Sequence, residues 1–250
     1  MPERLRISPA DEGVSRALRA QGWKEDGDAL WVLDDPYAFS PDRKAGRIFT
    51  NDRGTLSHYP PGAIYLPLAF DDLAPVPEVS DTWDVCFVGT PFPRRVILLQ
   101  ALQDLLAGMR TVVAGPGWAG KLDPQIRVLE GRQDARALWC ASRVVLQVHR
   151  DNFFENPRRI PPDSPSGRIF EAAGLGCCQV VDRFRSATFE HYEEGKELVS
   201  FESTEELRGL LTDLVKDSVR RKAIGEAARK RTLAEHTYRH RLLSLVSPRL

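Results

Sequence analysis

Apolar residues along this chain change their period at regular intervals, and each change marks an element. "DVCFVGT" (84–90) is a short apolar run ending on a glycine. "RRVILLQALQDLLAG" (94–108) follows with apolar positions at helical spacing and stops at Gly108. The alternation continues with the strand "RTVVAG", the turn "GPGW" (115–118), the strand "QIRVLEG", the helix "DARALWCAS" and the strand "RVVLQVHR" (143–150). It closes with the helix "SGRIFEAAGLG" and the strand "CCQVVD" (177–182). Strands that are apolar on both faces and alternate with helices require crossover connections, so this part predicts a doubly wound parallel sheet covered on both sides.

The earlier part of the chain alternates more weakly. "RLRIS", the helix "EGVSRALRAQ" and the strands "ALWVLDDP", "RIFTND" and "AIYLPLA" predict a small α/β layer with few strands. Between the two lies "FDDLAPVPEVSDTWD" (70–84), whose three prolines and several carboxylates break every apolar period and read as an interdomain linker. From Ser203 onward the pattern is helical, opening on a Ser-x-x-Glu cap in "STEELRGLLTDLVKD" and ending in "YRHRLLSLV". The boundaries that follow are 1–75, 76–235 and a last helix in 236–250.

Composition narrows the partners. With 35 basic and 35 acidic residues the formal net charge is zero, which gives no general argument for nucleic acid or an anionic membrane. The basic helical stretch carrying Arg220, Arg221, Lys222, Arg229, Lys230, Arg231, Arg239 and Arg241 is interrupted by Glu226 and Glu235, so it reads as a solvated face and no nucleic-acid partner is expected. "MPERLRISPADEG" lacks the apolar segment of a signal peptide, and no run approaches the ~18 apolar residues of a membrane span, so the expected location is cytoplasmic. Cys86, Cys140, Cys177 and Cys178 have no CxxC spacing and read as reduced core thiols, with no metal site.

In open parallel sheets, ligands bind beyond the carboxyl ends of the strands. The loop "FVGTPFPRR" supplies Gly89 for close backbone approach, Thr90 as a hydroxyl, and Arg94 and Arg95 as charges matching phosphate oxygens; the alternative is a glycine turn with a solvated basic pair. His149, Arg150, Asp151 and Asn152 crowd the next strand end, where His149 is either a ligand contact or a hydrogen-bonded core-edge histidine. Gly115 and Trp118 in "GPGW" are either site residues or a turn. Ser166, Gly167 and Arg168 open a helix whose free amides and positive dipole end suit an anion.

Glu171 lies one turn further, a carboxylate inside an otherwise apolar helix. It either accepts hydrogen bonds from vicinal hydroxyls such as those of a ribose, or pairs with Arg168 at i,i+3. Asp34 and Asp35 in "LDDP" end a strand of the first part and either face the cleft or form a turn.

"SGRIFEAAGLGCCQVVD", followed by "FEHYEEGKELVSFESTEELRGLL" and "AEHTYRHRL", resembles the group-1 glycosyltransferases of the GT-B fold, in particular the spore maturation (CgeB-like) type, with their R-x-FE-A-x-x-x-G helix and closing hTy-x-x-R. The resemblance runs from about Leu30 through "VCFVGTPFPRR", "VVAGPGW" and "VVLQVHR". It implies two Rossmann-like α/β domains and a last helix bracing the first; this chain departs from the family at the front, where the length before the linker predicts a reduced N-terminal, acceptor-side domain. It implies transfer of a sugar from a nucleoside-diphosphate sugar, without metal or other cofactor, to an unidentified acceptor.

By the same resemblance Glu171 holds the ribose, and Ser166, Gly167 and Arg168 hold the diphosphate with Gly89 and Thr90 nearby. Arg94, Arg150 and Arg168 are the candidates expected to neutralise the leaving diphosphate. Asp163 stands where the family's sugar-facing glutamate stands, and is expected in a catalytic role with His149 and Arg150. With some seventy residues before the linker, the alternative is a non-catalytic binding or assembly module that keeps the donor fold.

Overall fold

The computed structural model describes residues 5–8, 11–24, 29–37, 46–150, 156 and 159–246. Two parallel sheets organise them. The first has the order β1(Arg6–Ser8), β2(Ala29–Val32), β3(Arg47–Thr50), β4(Ile64–Tyr65), with α1(Glu12–Ala20) between β1 and β2 and a 3-10 turn at Arg53–His58. Asp11 caps α1 by accepting the Val14 amide at 3.0 Å, and Gly22, at φ 71°, follows its last turn.

The second sheet holds β5(Trp83–Val88), β6(Thr111–Ala114), β7(Arg127–Leu129), β8(Ser142–Gln147), β9(Gln179–Asp182) and β10(Val199–Phe201) in the order β10-β9-β8-β5-β6-β7. The chain builds outward from β5 to β7, then returns to β8 on the other side of β5 and continues outward again. That reversal opens a crevice at the carboxyl ends of β5 and β8. The covering helices are α2(Pro93–Ala101), α3(Gln103–Ala107), α4(Ala135–Cys140), α5(Gly167–Gly174), α6(Thr188–His191), α7(Thr204–Lys216) and α8(Ser218–Glu235).

The helix expected over 94–108 is two helices, α2 and α3, joined at Leu102, which stays fully buried against the sheet. β10 and α6 lie in a stretch that the apolar pattern left unassigned. Ser203 caps α7 by accepting the Glu206 amide at 3.1 Å, and the Glu206 carboxylate takes the Glu202 amide at 2.8 Å. The four cysteines are buried free thiols.

The last helix, α9(Tyr238–Val246), returns to the first sheet. Tyr238 and Leu242 are buried with Val14, Leu18, Trp31 and Phe49, and the Tyr238 and Trp31 rings meet edge-on at 6.1 Å. Among the described residues this four-stranded layer has one helix of its own, which leaves apolar surface that α9 covers.

Candidate active site

At the crevice, the loops after β5 and β8 and the start of α5 wall a cavity of about 350 Å³. Gly89 and Thr90 after β5, His149 and Arg150 after β8, and Ser166, Gly167 and Arg168 at α5 all line it, facing Asp34 and Asp35 of the first sheet. Asp151 and Asn152 lie outside the described residues.

Four guanidiniums converge there: Arg95, Arg150, Arg168 and Arg185. Three of them are held by carbonyls at strand and loop ends. Arg168 donates to Val88 O at 2.5 Å, Arg95 to Val148 O at 2.8 and 3.0 Å, and Arg185 to Ser164 O at 2.8 Å. Arg150 pairs with Asp34 at 2.7 Å and stacks on the Tyr37 ring at 3.3 Å. Among the described residues Arg95, Arg168 and Arg185 have no carboxylate within ion-pair distance.

Burial, and then the neighbouring cations, push the Arg95 pKa down to about 8 and that of Arg168 to about 10; burial likewise lowers that of Arg185. Uncompensated positive charge packed this closely is stabilised by an arriving anion. No side chain caps α5, so its first-turn amides add to the same site.

A second cavity, of about 830 Å³, meets the first at Leu68, Ser166, Gly167 and Arg168. It runs along α5 past Glu171 to Arg132 and Gln133 before α4, and to Arg16 of α1. Glu171 does not pair with Arg168. Its carboxylate takes the Asp71 amide at 2.8 Å and Arg136 at 2.5 Å, while burial pushes its pKa up to about 7 against those contacts.

Five expected site residues lie elsewhere or in supporting positions. Glu171 lines only the larger cavity. Asp163 lines neither; Arg53 at 2.9 Å and Ser186 at 2.7 Å hold it, and these contacts keep its pKa low although burial opposes them. Arg94 points away from the cleft, paired with Asp182 at 2.6 Å and 4.7 Å from the Phe184 ring, because its neighbour Arg95 takes the inward position on α2. Trp118 is fully buried and donates to Gly89 O at 2.6 Å. Gly115, at φ 141°, lies so close that any Cβ would meet the Gly89 carbonyl at 2.5 Å. These last two form the wall behind Gly89.

Sequence reasoning missed Arg185 and Arg136. Arg185 follows β9, so the strand-end rule applied to "VVDRFR" finds it. Arg136 reaches Glu171 across 35 residues, and no local signal marks that contact. The link between the sheets also went unseen: the buried Asp52 carboxylate takes the amides of Asp163 and Ser164 at 3.0 and 3.1 Å, and Arg53 reaches Glu190 at 2.6 Å.

Two parallel α/β sheets facing across a cationic cleft, braced by a returning C-terminal helix, are a GT-B fold. The chain belongs to the glycosyl transferase-like family, whose model matches residues 94–247. Solved structures agree on the fold. HepE from Anabaena, in complex with UDP and glucose, superposes with a TM-score of 0.64 at 14% identity over 95% of this chain and 81% of its own. S. aureus TarM gives 0.63 at 12% identity over 87% of this chain, which spans 49% of TarM. Sucrose-phosphate synthase from Thermosynechococcus elongatus gives 0.55 at 13% identity over 92% of this chain and 68% of its own. Among curated proteins nothing matches the sequence. Among the described residues no helix is long and apolar enough to cross a membrane.

Proposed function

We propose that this chain transfers a sugar from a nucleoside-diphosphate sugar to an acceptor. The carrying observation is the cluster of Arg95, Arg168 and Arg185, without carboxylate partners among the described residues, at the helix end where two cavities meet. The diphosphate bridges the cavities at the start of α5. The nucleoside lies in the larger cavity with its ribose on Glu171, displacing Arg136 or sharing the carboxylate with it. The sugar lies in the smaller cavity, facing Asp34 and Asp35.

The family match and the UDP-bound state of HepE support this arrangement. The motif series of the CgeB-like type supports placing the chain near that branch. Guanidiniums and helix amides neutralise the leaving diphosphate, the work that a divalent cation does in other transferases, so activity is expected to persist in a chelator.

A thermal-shift panel of UDP, GDP, ADP, TDP and their sugars tests the reading, since a ligand that binds only the folded state raises the melting temperature. At least one is expected to do so, and Glu171→Ala to weaken the best of them about tenfold. A panel with no shift at all overturns the reading. The short first sheet, with four strands and one helix of its own among the described residues, keeps a second reading in play: a donor-fold module that binds without transferring. Turnover of donor by the purified chain, lost in Glu171→Ala, excludes it.

A further inference from the structure

His149 follows β8 and is tied to the end of β9. Its backbone amide donates to Asp182 Oδ2 at 2.9 Å, and its Nδ1 is bonded to Asp182 Oδ1. Arg94 adds a contact to Oδ2 at 2.6 Å, and these partners hold the Asp182 pKa down at about 2 although burial opposes them. An ionised carboxylate only accepts, so Nδ1 carries the hydrogen and Nε2, on the opposite edge of the ring, keeps a bare lone pair. Burial drives the histidine pKa down to about 4, so the ring is neutral at pH 7.

His149 lines the smaller cavity, and among the described residues its Nε2 is buried without a hydrogen-bond partner. Arg185 lines the same cavity, and its Nε is likewise buried and unpartnered. Of these two buried atoms, one can only accept and the other can only donate. A hydroxyl group does both, and so answers both atoms. Asp163, the residue expected to contact the sugar, is occupied by Arg53 and Ser186 outside both cavities.

We propose that His149 Nε2, fixed as an acceptor by Asp182, takes a hydrogen bond from a hydroxyl of the donor sugar, with Arg185 Nε donating beside it, so that these residues set sugar specificity. This rests on the nucleotide-sugar reading above. Asp182 is a positioning residue in this scheme, acting through the histidine tautomer.

The test titrates the full chain with the nucleoside diphosphate of largest thermal shift, with its sugar conjugate, and with conjugates lacking one sugar hydroxyl each. His149→Asn keeps an amide where Nδ1 stood but leaves nothing at Nε2; His149→Gln returns an amide to that position. In His149→Asn and Asp182→Asn the sugar conjugate is expected to bind about tenfold more weakly, while the free nucleoside diphosphate stays within about twofold of wild type. His149→Gln is expected to regain part of the loss. One monodeoxy conjugate should lose about tenfold in wild type and nothing further in His149→Asn.

Equal weakening of both ligands, or no weakening of the conjugate, overturns the proposal and leaves the donor site standing. If the variants fail to fold, the wild-type deoxy series decides: full affinity for every deoxy conjugate overturns it. A wild type that binds no nucleoside diphosphate overturns the donor-site reading and this proposal with it.

Discussion

Two guanidiniums crowd the backbone at Gly89. An added Cβ would lie 2.8 Å from Arg168 Nη1 and 3.0 Å from Arg95 Nη1, inside any ordinary contact. Both are tips of long side chains and can swing aside, so Gly89→Ala is expected to cost little stability, under about 1 kcal/mol by thermal melting. The swing displaces the charges that face the diphosphate, and calorimetry should show nucleoside-diphosphate affinity falling about tenfold. Unchanged affinity would remove Arg95 and Arg168 from the anion site.

The residue scale also shows how much of the site the sequence held. Gly89, Thr90, His149, Arg150, Ser166, Gly167 and Arg168 were legible because each ends a strand or begins a helix, and those are local properties. The choice between Arg94 and Arg95 was not, since adjacent residues on a helix differ by about 100° in direction and only packing on the sheet decides which turns inward.

At the scale of elements, α5 and α8 approach closely because small residues meet between them. A Cβ on Gly225 would lie 2.0 Å from the Gly176 carbonyl oxygen, which is backbone and cannot yield. Gly225→Ala gains up to about 1 kcal/mol of helix propensity but forces the helices apart, and the net effect expected is a loss of about 2 kcal/mol in urea denaturation. Gly209, exposed on α7 with nothing within 4 Å of an added Cβ, is the control. Gly209→Ala should gain stability, by up to about 1 kcal/mol. If both substitutions gain, the close approach does not constrain the pair. The break of the expected 94–108 helix at Leu102 belongs to this scale too: its apolar spacing continues through Leu102, and the sheet beneath sets where the axis turns.

For the whole molecule, the titrating groups pull stability in opposite directions. Burial holds His149 and His191 near pKa 4 and His236 near 3, against 6.5 for the free residue. The unfolded chain therefore takes up protons below pH 6.5 that the folded chain refuses until about 4 or lower. This part of stability is full above 6.5 and declines on acidification. Glu171, raised to about 7, and Asp52, raised to about 6, act the other way: the folded chain holds their protons where the unfolded chain has lost them, which favours folding as pH falls through those values.

Glu171→Gln removes one of the opposing protons. The variant should lose stability faster than wild type between pH 7 and 5, by about 1.4 kcal/mol per pH unit where the missing proton counts fully. Parallel melting curves against pH would show that Glu171 is ionised in the folded protein across that range.

The alternation of period 2 and period 3.6 by itself determined the parallel α/β class, the helical tail and most residues of the cleft wall, because those depend on neighbours a few positions away. Tertiary structure alone decided that Glu171 meets Arg136, that Asp163 is tied to Arg53 across 110 residues, that α9 completes the first sheet, and that the buried Nε2 of His149 has no partner among the described residues. The physical reason is the same in each case. A charge or lone pair takes its character from whatever surrounds it once water is excluded, and those surroundings come from segments that no local pattern connects.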